Sequence, residues 1–144
     1  MAAISRNIFL LLASGLALLA TQAAYAQFSK DPVLSLETRK GISIEIFSEV
    51  APLDINQIHS WMLHLNEENG APLVNAVIEV IGGMPEHDHG LPTQPQVTAE
   101  IADGKYLLEG VRFHMPGKWQ LEIKISYGTI PAVTTETATI DFQL

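Results

Sequence analysis

The chain has no cysteine. That removes every thiolate ligand, every cysteine nucleophile and every disulfide, so a folded domain here has to be held by its core alone. Basic residues are scarce as well: 8 Lys and Arg stand against 16 Asp and Glu, for a formal net charge of −8. A chain this acidic does not seek nucleic acid or anionic lipid, and it attracts cations. Only two residues are tryptophan, which makes Trp61 and Trp119 natural centres of a core. Catalytic signatures are missing too. There is no G-x-S-x-G, no glycine-rich phosphate loop and no carboxylate pair in a glycosidase-like setting, so the chain is not read as an enzyme.

Long apolar runs are absent except at the start. Arg6 precedes an apolar stretch over residues 8–19, and Ala24-Tyr25-Ala26 forms a small-x-small site before Gln27. This is the layout of a secretory signal peptide. The run falls short of the roughly 20 apolar residues a membrane span needs. The expectation is therefore a leader over 1–26, a single domain over 27–144 and a periplasmic or otherwise exported protein. Membrane association is expected only if the leader is retained as an anchor.

Beyond the leader, the sequence alternates with a period of two. Ile42, Ile44 and Ile46 share one face of "ISIEIF"; His59, Trp61, Leu63 and Leu65 share one face of "QIHSWMLHL". Trp119, Leu121, Ile123 and Ile125 point inward from "KWQLEIKISY", while Gln120, Glu122, Lys124 and Ser126 point to water. Asp103-Gly104 marks a hairpin. The spacing predicts seven strands at 42–47, 57–66, 73–82, 97–102, 105–113, 118–127 and 132–142, with a short extra strand near 33–37. No stretch has a helical period. Short strands at this spacing predict an all-β fold, an immunoglobulin-like antiparallel β-sandwich. Gly110, inside a strand, suggests a bulge or a close backbone approach.

The longest predicted connection, 83–96, holds the densest set of donors, "GGMPEHDHGLPT" over 82–93. Glycine and proline frame it, so it reads as neither regular strand nor helix. If successive loops alternate between the two ends of a sandwich, the turn "FHMPGKW" at 113–119 lies at the same end. Met84, His87, His89, His114 and Met115 then form one candidate metal site. His114 and Met115 are adjacent and point to opposite faces in an extended chain, so only one of them is expected to join directly. Imidazole with thioether and no thiolate favours copper, and Cu(I) in particular. A zinc site using His87, Asp88 and His89 is the competing chemistry. Glu86 and Asp88 are candidates for orienting the imidazoles. Met84 and Met115 also suit gap-filling in a core. His59 reads as a half-buried strand residue, His64 and Met62 as structural, and the acidic residues as mostly solvated strand faces.

Two stretches, "GGMPEHDHGLPT" and "DGKYLLEGVRFHMPGKWQLEIKI", resemble the YtkA-like domain, a family of small exported or membrane-anchored bacterial proteins. The resemblance runs over about residues 74–126. It rests on Met84-Pro85, His89-Gly90, Gly104-Lys105-Tyr106, Phe113, Met115, Gly117 and Trp119. It implies a role in copper handling, since such domains accompany copper-handling and respiratory-oxidase assembly proteins. It also favours Met115 over His114 as a ligand. The combined reading is an exported Cu(I) carrier or accessory factor, with a copper-donor or copper-acceptor protein as partner. The alternative is a metal-free immunoglobulin-like module whose long loop contacts another protein.

Overall fold

The structure, a computed structural model, describes residues 26–144. The predicted leader therefore lies, but for its last residue, outside the described residues. The described chain forms nine strands: β1 (Leu34–Glu37), β2 (Ser43–Ser48), β3 (His59–Asn66), β4 (Val77–Met84), β5 (His89–Gly90), β6 (Gln96–Ala102), β7 (Lys105–Val111), β8 (Lys118–Thr129) and β9 (Ala132–Gln143). Among the described residues the sole helical turn is a short 3-10 segment, Pro85–His87.

The strands form two antiparallel sheets, β1-β2-β3-β7-β6 and β5-β4-β8-β9. Without the edge strands β1 and β5, the division is that of a constant-type immunoglobulin sandwich, four strands facing three. All seven predicted strands are present, as is the short one before them. The differences fall at the ends. The third strand starts four residues later than expected, at Val77, and runs on through Gly82 and Gly83 to Met84. Gly83 is strand, not loop: it pairs with Gln120 on one side and Gly90 on the other. An added Cβ at Gly82 would sit 2.8 Å from both Leu91 and Leu121, so only glycine lets the loop close on the sheet here.

The core arises from the alternation. Ile44, Ile46, Trp61, Leu63, Leu65, Leu108, Leu121, Ile123 and Ile125 are sealed from solvent. Each such side chain contributes about 1.5–3 kcal/mol on burial. Gly110 sits where the register between β3 and β7 slips, with φ +85°, so the expected bulge is there. The bulge turns the end of β7 into the 112–117 turn. His59 is more deeply buried than a half-buried strand residue, at 4% exposed. Its ring lies against Trp61 and Phe113.

One acidic residue departs from the solvated-face reading. Glu136 alternates inward from β9 and is buried. Its carboxylate accepts the Tyr127 hydroxyl at 2.7 Å and the Lys40 backbone N–H at 3.2 Å, with the Lys40 ammonium 3.9 Å away. This ties the turn after β1 to the far sheet. Burial pushes the Glu136 carboxyl up, but hydrogen bonds from Thr38, Tyr127 and Lys40, with the Lys40 charge, outweigh it and hold it below the usual range. The hydrogen bond to Glu136 is the chief cause that pushes Tyr127 up to about 12.

The two shifts act at opposite ends of the pH scale. A depressed folded-state carboxyl adds stability above its unfolded value, and that stability is lost as pH falls through the folded value. A raised tyrosine adds stability below the ordinary value of 10.0, lost as pH climbs toward about 12. Tyr127→Phe should cost about 1.5 kcal/mol at neutral pH. It should also flatten the alkaline loss between those values. Urea unfolding across pH checks this, and an alkaline limb identical to wild type would contradict the assignment.

Candidate metal centre

The ends of β4 and β7 and the start of β8 meet at one end of the sandwich. There the segment 85–95 and the turn 112–117 come together, as the alternation of loops predicts. Pro85 starts a 3-10 turn that Asp88 ends in the left-handed region, at φ +53°. A short-chain acid tolerates that conformation. The reversal folds His89-Gly90 back as β5 against Gly83 and Met84.

This reversal brings His89 against His114, with ring centroids 5.0 Å apart. The His89 Nδ1 lies 3.1 Å from the His87 carbonyl oxygen. A carbonyl only accepts, so Nδ1 donates this bond and Nε2 is the ring nitrogen left for another partner. That Nε2 is buried and has no hydrogen-bond partner among the described residues; the same is true of Nδ1 on His114. Buried imidazole nitrogens are normally satisfied. Two unpartnered ring nitrogens on adjacent imidazoles have the chemistry of a candidate cation site.

The turn that carries His114 is firmly held. Trp119, fully buried, donates its indole N–H to the Met115 carbonyl at 3.1 Å and meets the His114 ring edge-on at 5.5 Å. Behind it Phe113 packs on Trp119 at 5.1 Å and on Phe142 at 5.6 Å. Gly117 exchanges two backbone hydrogen bonds with Leu144, both 3.0 Å.

The five predicted donors separate into four placements. His89 and His114 are brought together, so His114, which the resemblance disfavoured, is the one drawn in from its turn. His87 is exposed, its ring 5.8 Å from that of His89. Met115, partly buried, comes next after His114 and packs on the edge of the core. Met84 is 1% exposed and points inward, its methyl against Gly117. Among the described residues no three His, Asp or Glu side chains are already gathered as a metal-binding cluster. A complete site therefore needs a further donor beyond the imidazole pair, and the thioether of Met115 is the adjacent one. Thr93, whose hydroxyl is also buried without a partner, carried no signal in the sequence.

The YtkA-like family model matches residues 37–124. The match covers more than half of the chain and reaches well upstream of the motifs at 82–93 and 113–119. Neither the curated proteins nor the solved structures compared with the chain give a match.

The seat of Met84 can be tested directly. A Cβ at Gly117 would come 2.5 Å from the Met84 methyl, on a backbone with φ +139°. Gly117→Ala should therefore destabilise the domain by about 2 kcal/mol. A thermal midpoint equal to wild type would show that Met84 is not seated there.

Proposed function

The chain belongs to the YtkA-like family, and from its paired imidazoles we propose that it is an exported copper carrier, taking Cu(I) as cargo rather than catalysing a reaction. One observation carries this reading: His89 Nε2 and His114 Nδ1 are both buried, both without a partner, on rings 5.0 Å apart. Two imidazoles complemented by a thioether suit Cu(I) better than Zn2+, which would more naturally take a third imidazole or a carboxylate.

Each residue then has a distinct role. His89 and His114 hold the ion, the first oriented by its Nδ1–H bond to the His87 carbonyl. Met115, next to His114 and packed at the edge of the core, supplies a soft third donor. His87, exposed on the loop, is the first imidazole an incoming ion meets. Met84 stays in the core and fixes the base of the loop. Transfer to a copper-accepting protein proceeds by ligand exchange, the acceptor's donors replacing Met115 before the imidazoles let go. An exported location fits the leader-like start of the sequence, and the acidic surface favours approach by cations.

A competition titration with a chromophoric Cu(I) chelator tests the reading. The wild-type chain should bind one Cu(I). His89→Ala and His114→Ala should each weaken binding by about a hundredfold, and His87→Ala by no more than about tenfold. Failure of the wild type to compete would end the copper reading.

A further inference from the structure

The two sheets end in four edge strands, β1, β6, β5 and β9, and three of them are blunted. β1 is four residues long and β5 two. β6 is broken by two register shifts against β7. Short strands and bulges are common ways for a sheet to avoid pairing with another chain. β9 has neither. It runs twelve residues, Ala132–Gln143, in unbroken register with β8. It contains no proline, lysine or arginine.

Its free side can be read from the ladder. Gly117 and Leu144 exchange both backbone hydrogen bonds, and they continue the register of β8 and β9. By the alternation of an antiparallel ladder, the even-numbered residues of β9 bond to β8. The N–H and C=O of Val133, Thr135, Thr137, Thr139 and Asp141 therefore face away from it. Among the described residues no strand pairs with them there. The nearby Lys40 N–H is spent on the Glu136 carboxylate, a side chain that points inward.

Charge and shape select the occupant. The chain is at −8 overall, yet the outward face of β8 and β9 is balanced, Lys118 and Lys124 standing against Glu122 and Asp141. The middle of the edge presents only Thr135, Thr137 and Thr139, which are uncharged and β-branched. Such an edge does not repel its own copy, and threonine pairs well with threonine across strands. Antiparallel pairing centred on Thr137 sets Thr135 against Thr139. It also brings the hairpin tip of one copy level with Leu144 of the other. That tip carries Ile130, 91% exposed. Beside Leu144 lies a groove of about 550 Å³ lined chiefly by Val33, Leu34, Pro52, Leu53, Phe142 and Leu144. A two-fold axis makes this match twice, since each copy offers both the tip and the groove.

We propose that the chain forms a two-fold dimer by joining β9 to β9 of a second copy, so that two four-stranded sheets become one and Ile130 of each copy enters the apolar groove of the other. The dimer neither uses nor requires metal.

The test is sedimentation of the metal-free full chain over a range of concentrations, with amide hydrogen exchange followed by NMR. A concentration-dependent dimer should form, and the amides of Thr135, Thr137 and Thr139 should slow as it does. Thr137→Lys sets two like charges at the axis and should return the monomer. The side chain is exposed, so the thermal midpoint of the dilute variant should stay at that of the dilute wild type. Ile130→Ser should weaken the dimer about a hundredfold, because two copies are buried in it. The chain has no cysteine, so Thr137→Cys should oxidise to a cross-linked dimer much faster than Thr98→Cys on the blunted β6 edge. A chain monomeric up to about 1 mM would overturn the proposal. So would a dimer that survives Thr137→Lys, one whose β9 amides exchange as freely as in the monomer, or equal oxidation of the two cysteine variants.

Discussion

The packing of Trp119 is the constraint on which the candidate centre depends. Its indole is fully buried, so it belongs to the core, yet its N–H holds the Met115 carbonyl and its ring bounds His114. Through Phe113 it is joined to Trp61 and His59 on the facing sheet. A turn of a few residues has little stability of its own. This one is fixed because the interior of the sandwich continues into it as a chain of ring contacts. A loop fixed in this way can keep two imidazole nitrogens dry and unpaired, which free loops do not do.

The opposite side of the centre is organised by glycine. Gly82 and Gly83 carry strand β4 under the donor loop, and Gly90 returns across them with no side chain between. The αL residue Asp88 makes the reversal possible. The result is a tight two-residue strand that presents His89 toward His114.

Much of this was legible in the residues. The period-two alternation of Ile42–Ile46, Trp61–Leu65 and Trp119–Ile125 reports one buried face per strand, and a β-sandwich is what such faces require. The placing of both donor segments at one end came from strand order alone. Other features were hidden because they depend on tertiary partners. Glu136 has the same alternation as its threonine neighbours, and only Tyr127, Thr38 and Lys40 make its burial tolerable. Met84 reads slightly better as core than as ligand, and its burial to 1% exposed puts it in the core. That the His114 ring lies against His89 depends on the grip of Trp119 on the turn, which cannot be seen in the local sequence.

On the proposed copper reading, His89 Nε2 and His114 Nδ1 are the two nitrogens that receive the ion. The most direct measurement is a long-range proton–nitrogen NMR spectrum of the histidine rings, metal-free and loaded with Cu(I). His89 Nε2 and His114 Nδ1 should shift on loading, while His89 Nδ1, bonded to the His87 carbonyl, should keep its proton. A shift confined to other ring nitrogens, or to His59 and His64, would contradict it.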